Sequence, residues 1–346
     1  MKPAQIGQVY QLLRIGLIVG FLILLVWLTG HVLLEIFAGL LLAVMVNGLT
    51  VRLARLVRLS YGWAFLCVMV VIVAGSSATI YFAAPRVVGQ SYQIFNEASL
   101  ALEQLFQKLS HALPSLQLSS EQLPNLRELT SSFVNLGTMM TSSVITLIIV
   151  LFVGFYAALN PPWYIDGFIR LFPQGHRPRI REVLGEIGHS LQLWLLGRAI
   201  MMVSVALLTL ICLSLLSIPL AFTLSLIAGL LTFVPYFGAL VSAVPAVLIA
   251  FVQSPVYAAY VVLIYLGAHA IEGYILAPLV QQRTVHLPPA LMLSAQALMG
   301  TLFGITGAAL AAPILVVMMT LTRILYQRDI LHDEETDLRR CSVSRE

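Results

Sequence analysis

Two features of this sequence could do chemistry. The first is a histidine and a carboxylate at helical spacing. His269 and Glu272 lie three residues apart in the otherwise apolar stretch Ala268–Leu276, and side chains three apart share one face of a helix. A carboxylate beside an imidazole can hold a cation or pass a proton. The second is a pair of breaks in two long apolar runs. Pro219–Val252 carries Val234-Pro235-Tyr236-Phe237-Gly238 near its middle, and Pro289–Leu321 carries Gly300, Gly304 and Gly307. Proline removes a backbone donor and glycine loosens a helix. The ends of interrupted helices carry partial charges that can hold ions or polar solutes. The candidate binding residues are therefore Pro235, Tyr236, Gly238, His269, Glu272, Gly300, Gly304 and Gly307.

Each candidate also has a plainer reading. A charge at bilayer depth costs about 2.5–3.5 kcal/mol on insertion scales, so Glu272 needs a partner or a role. It precedes Pro278 and Arg283, and pairing with a nearby arginine at the interface would satisfy it. Gly300 and Gly304 could form a close-packing G-x-x-x-G face, with Pro235 a simple kink. His31 and Glu35 fall near the outer end of a span, at the interface, and His286 is expected to be solvated. Other chemistries lack motifs. The chain has no G-x-x-x-x-G-K-[ST], no H-E-x-x-H and no G-x-S-x-G, so neither a nucleotide cassette nor a hydrolase is indicated. Cys67, Cys212 and Cys341 suggest neither a disulfide framework nor zinc. No cofactor is expected.

The elements that must position these residues are membrane helices. The chain has 346 residues, 60% hydrophobic and only 10% charged, against about 25% charged in typical globular proteins. Charge-free runs such as Ile15–Leu28 recur and approach the roughly 20 residues that cross a bilayer. They are continuous rather than alternating, which excludes a barrel. No A-x-A cleavage site follows the first run, which is expected to remain as a span. The predicted spans are Leu12–Thr29, Val32–Leu49, Trp63–Ala84, Met139–Leu159, Ala199–Leu216 and Val256–Leu276. The two broken runs would each extend roughly 50 Å as straight helices, against a core of about 30 Å, so each is read as a helix–break–helix hairpin.

Charge placement orients the chain. With the N-terminus in the cytoplasm, all of the nineteen Lys and Arg residues fall inside except Arg86, Lys108 and Arg127. That asymmetry follows the positive-inside rule and places both termini in the cytoplasm. The net charge of +4 is thus a matter of topology, not of nucleic-acid binding. Pro85–Thr138 is the one long extramembrane segment. Its apolar residues at helical spacing suit an amphipathic pair that packs on the spans, on lipid or on another subunit. In Asn160–Arg198, Asn160-Pro161-Pro162 stops the preceding helix, and Ile180, Val183, Leu184, Ile187 and Leu191 form one face. That face suits a helix lying on the membrane surface before the chain turns in.

The predicted fold is an all-α polytopic membrane protein with about six full transmembrane helices, two broken hairpins and one extramembrane helical segment, roughly eight membrane segments in all. Its parts are a three-span bundle (1–84), a periplasmic segment (85–138), a fourth span (139–159), a cytoplasmic interfacial helix (160–198), a core with both hairpins (199–325) and a polar tail (326–346).

Leu226-Ile227-Ala228-Gly229-Leu230, Phe233-Val234-Pro235-Tyr236-Phe237-Gly238 and Val244-Pro245-Ala246 resemble the signature of the autoinducer-2 exporter family of permeases. So do Ile271-Glu272-Gly273, Leu276-Ala277-Pro278, Gly300, Leu302-Phe303-Gly304, Gly307 and Ala312-Pro313. The C-terminal third carries the specific match; the N-terminal half matches in layout. The chain has Gly238-Ala239 where the family often has Gly-Pro, and Leu287-Pro288-Pro289 where it often has Leu-His-Pro. The resemblance implies a bacterial inner-membrane protein and a homo-oligomer, with a pentamer as one form. It also implies export of autoinducer-2 in some members and sodium–proton exchange in others. Three functions are expected in order: a secondary exporter of a small polar solute, a Na+ or Li+/proton antiporter using Glu272, and a non-transporting membrane scaffold working through Pro85–Thr138.

Overall fold

The computed structural model describes the backbone of residues 3–75, 146–276 and 288–329, with the single residues 77, 81, 278 and 331, and side chains from Thr29 onward. The predicted segment Pro85–Thr138, Arg283, His286 and most of the polar tail lie outside the described residues. Among those described, every element is helical and no strand occurs. The elements are α1 (Pro3–Val57), α2 (Tyr61–Gly75), α3 (Thr146–Leu159), α4 (Pro161–Arg170), α5 (Arg177–Leu215), α6 (Ala221–Leu231), α7 (Phe237–Gln253), α8 (Pro255–Ile271) and α9 (Pro289–Leu321). By length and composition four described segments can cross a bilayer, or five if the bent pair α3–α4 counts as one.

Both predicted hairpins are present. α6 ends at Leu231 and α7 begins at Phe237. Between them, Phe237 N–H donates to Pro235 O (2.7 Å) and Gly238 N–H to Val234 O (3.0 Å), closing a tight turn. Tyr236 sits in it at φ 64° and ψ −52°, a conformation that costs a side-chain-bearing residue about 1–3 kcal/mol. A Cβ on Gly238 would overlap the Leu231 carbonyl, so the two helix ends approach closely only because that residue is glycine. In α9 the break is Gly304, at φ 66° and ψ −151°. The chain folds back there: a Cβ on Gly307 would overlap the Met299 carbonyl, and one on Gly300 would touch Ala308 Cβ at 3.5 Å. In a straight helix, residues eight apart stand about 12 Å apart. Pro289–Arg328 therefore has the length and hydropathy of one crossing but is two arms. At 1.5 Å per residue, neither 289–303 nor 305–321 exceeds about 26 Å.

Three expectations need correcting. Leu12–Thr29 and Val32–Leu49 are not separate helices, because α1 runs unbroken through Gly30 and His31; one glycine costs a helix only about 1 kcal/mol and does not end it. The chain also does not turn at Arg198, since α5 is one helix of 39 residues. Its apolar face does not lie on the membrane: Val183 is buried, and Ile187, Leu191, Trp194 and Leu195 pack with residues of α1 and α9. The chain instead bends by 91° between α3 and α4, where Pro161 and Pro162 cannot extend α3.

α5 is the mast of the described structure. Its first half joins α1 and α9 through Leu191, Trp194 and Leu195, packed with Leu34, Leu41, Met292, Leu310 and Val316. Its second half joins α6, α7 and α8 through Val205 and Leu213, packed with Leu224, Ala246, Ile249, Val261 and Tyr265. Each hairpin thus has its own stretch of one helix beneath its arms, and Phe233 in the turn of the first also meets Trp194 on the other stretch. A third cluster ties α1 to α2 and α3 through Val46, Phe65, Val68 and Ala158.

Candidate functional site

Arg198 lies on α5 between Leu195 of one apolar cluster and Val205 of the other. It is buried, with 9% of its surface exposed. Three groups meet it. Its Nε donates to the Phe233 carbonyl (3.2 Å), its Nη1 to Glu272 Oε1 (3.4 Å), and the same Nη1 to Met201 Sδ (3.3 Å). Phe233 belongs to the α6–α7 turn, where the peptide carbonyls lack regular helical partners. The arginine therefore ties the first break to the end of α8. A planar guanidinium can reach two acceptors at once, which a lysine ammonium does less well.

Glu272 stands where α8 ends and a wider π-helical turn, Glu272–Leu276, begins. Helix C-termini disfavour anions, so the carboxylate needs cationic or donor partners. Arg198 supplies one side. His269 supplies the other, with Nδ1 at 2.9 Å from Oε2. An ionised Glu272 would accept from Nδ1–H, and in a neutral ring that would leave Nε2 to accept a proton or a hydrogen bond. The Glu272 side chain is 15% exposed and that of His269 20%. Tyr265 stands one turn earlier on the same face, its ring 6.3 Å from the imidazole. Its hydroxyl and His269 Nε2 are buried without hydrogen-bond partners among the described residues.

The structure thus brings His269 and Glu272 together as their spacing predicted, and joins them to the break that holds Pro235, Tyr236 and Gly238. Gly300, Gly304 and Gly307 belong to a different place. The turn they form holds Phe303, whose ring packs on Gly30 and meets the His31 ring edge-on at 5.6 Å. Glu35 accepts a hydrogen bond from Thr146 Oγ1 (2.8 Å), joining α1 to α3. Gln296, on the first arm of α9, is 1% exposed, with both amide atoms unpartnered among the described residues.

Sequence reasoning misses Arg198, because charge placement assigns it to the cytoplasmic side with the other basic residues. The signal that could have found it is its setting. It is the sole charged side chain in residues 190–202, which read SLQLWLLGRAIMM. A lone arginine there needs a partner for the same reason Glu272 does.

At the mouth of α5, a second charged group is surface-exposed. Arg179 donates to Asp329 (2.6 and 3.2 Å) and Glu182 (2.5 Å), while Arg328 contacts Glu182 (3.3 Å) and Glu186 (3.4 Å). It clasps the start of α5 to the π-helical turn Thr322–Arg328 that follows α9. Arg179 holds the Glu182 carboxyl below the usual carboxylate range.

Residues 15–327 match the model of a family described as AI-2E family transporter. Three relatives are each named "putative transport protein". YueF of Bacillus subtilis is 23% identical over 217 residues, covering 63% of this chain and 58% of the relative. YrrI of the same organism is 31% identical over 160 residues, covering 45% and 44%. MT0215 of Mycobacterium tuberculosis is 29% identical over 194 residues, covering 55% and 52%. The chain spans about half the length of these curated relatives in the matched regions. With its apolar helices and a family match over nearly its whole length, this multi-pass membrane protein belongs to the AI-2E transporter family.

Proposed function

We propose that this chain is a secondary transporter that exports a small polar solute of the autoinducer-2 type, with its working centre at the α6–α7 break. The observation that carries the reading is the contact of Arg198 with both the Phe233 carbonyl and Glu272. A neutral ion pair at a helix break offers donors and acceptors together, the chemistry that replaces the water shell of a hydroxylated solute. The reading involves no nucleotide: export is driven by the solute's own gradient or by an ion moving down its gradient in exchange. The second break, at Gly304, acts as the wall against α1. The protein works in the bacterial inner membrane with both termini cytoplasmic, as a homo-oligomer for which a pentamer is one form.

Release of a hydroxylated solute from loaded proteoliposomes tests this. Flux well above that of protein-free vesicles is expected, and no flux under any imposed ion gradient would overturn it. A second reading, cation–proton antiport, is favoured by the 2.9 Å contact of His269 with Glu272. Arg198 and Glu272 cancel, so a proton on His269 or a cation at Glu272 would be the one added charge, and the two would compete. That reading requires pH-linked sodium or lithium movement in everted vesicles, lost in Glu272→Gln.

A further inference from the structure

α4 stands apart from the transport site, and it leaves an apolar surface uncovered. Of its residues only Ile169 is buried, with Asp166 paired to Arg181 of α5 (2.5 Å) nearby. At 100° per residue, Tyr164, Ile165, Phe168, Leu171 and Phe172 fall on one stripe, counting the two residues that follow the helix. All five are exposed, Leu171 by 79% and Phe168 by 47%. Such a stripe on a ten-residue helix needs a cover.

We propose that α4 lies in the plane of the membrane, with this stripe sunk into the boundary between lipid headgroups and acyl chains. Three observations name lipid as the occupant. The first is direction: α4 leaves α3 at 91°, and a helix perpendicular to a spanning helix runs along the bilayer surface. The second is sequence continuity, because Phe152, Phe155 and Tyr156 in the last two turns of α3 are also exposed, so the span that precedes the stripe presents an apolar, aromatic wall of its own. The third is chemistry. The stripe is aromatic and aliphatic, and Arg170 falls on the opposite side of the helix beside Trp163, a charged and an indole side chain that both suit the headgroup level. Aromatic residues concentrate at that depth, and amphipathic helices bury their apolar face about 5–10 Å into it. The membrane-surface helix expected over Ile180–Leu191 is thus α4 instead.

Spin labels test this in the full-length protein reconstituted in bilayers, with Cys67, Cys212 and Cys341 replaced by alanine. Single cysteines are placed at Tyr164, Phe168 and Leu171 on the stripe, and at Arg170 on the other side. Labels on the stripe should be several-fold more accessible to oxygen than to a water-soluble nickel chelate, with the order reversed at Arg170. Equal nickel access at all four positions would overturn the proposal. So would protection of the stripe from both reagents, because a protein surface, such as a second copy of this chain, would then cover it.

Discussion

The α6–α7 hairpin turns beside an arginine, a carboxylate and an imidazole, whereas the α9 hairpin turns beside the ring of Phe303 and Gly30 of α1. Both turns use one residue at positive φ, Tyr236 in the first and Gly304 in the second. Both rest on α5. They differ in what satisfies the exposed backbone. The first gives a carbonyl to a buried guanidinium; in the second, the neutral hydroxyl of Thr306 donates to the Phe303 carbonyl (2.9 Å) and the Phe303 ring packs on α1. On the proposed function, a helix break in a membrane is not in itself a site. It becomes one where the freed backbone groups meet charge that can also bind something else.

The largest expected effect separates the two turns. Arg198→Met leaves Glu272 in place without its cationic partner, and breaking a buried pair in this way costs about 3–5 kcal/mol. Thermal unfolding in detergent should reveal that loss, and Arg198→Met combined with Glu272→Met should recover much of it. Equal losses in the single and double variants would mean that the pair has no special standing.

Next come the glycines. Gly238→Ala forces the turn open at the Leu231 carbonyl, and Gly304→Ala puts a side chain at φ 66°. Each should cost about 1–3 kcal/mol. Only Gly238→Ala should also impair solute flux, because only that turn holds the Phe233 carbonyl against Arg198. A matching loss of flux in Gly304→Ala, at equal protein yield, would erase the distinction between the hairpins. Phe303→Ala removes the cap of the second turn from Gly30 and His31 and should cost about 1–2 kcal/mol, since the ring is only partly buried. Differential scanning of the purified protein checks it, and no shift in the unfolding temperature would show that the cap contributes nothing.

How much of this is legible in the sequence follows from what each signal reports. Pro235, Gly238 and Gly304 mark the hairpins because chain reversal needs local backbone properties that residue types reveal. The spacing of His269 and Glu272 is legible for the same reason. Arg198 is not, because its partners lie 35 and 74 residues away, and positive charge alone does not distinguish a buried residue from a topological one. The face Ile180–Leu191 is apolar as its spacing shows, yet protein rather than lipid covers it; periodicity says that a face is covered and not by what. The α4 stripe is too short to stand out beside that longer one. The unbroken α1 differs from two spans by a single glycine, too slight a feature to decide between them.

The smallest effect lies at the exposed clasp. The Arg179–Asp329 pair should contribute about 0.2–1 kcal/mol, less at high salt. The Glu182 carboxyl is held below its usual value of 4.5. Its contribution is therefore complete above that pH and is lost as the pH falls through the lowered value. Distance measurements between labels near Arg179 and Asp329 should lengthen in acid and in high salt. A distance insensitive to both would show that apolar packing, not charge, holds α9 to the start of α5.

The central claim is that the charged turn, not the capped one, carries transport. Solute flux from proteoliposomes of Glu272→Gln, beside the Phe303→Ala protein, tests it most directly. Glu272→Gln keeps the side chain's shape while removing its charge, and should abolish flux at normal protein yield, whereas Phe303→Ala should retain it. Undiminished flux in Glu272→Gln would contradict the account.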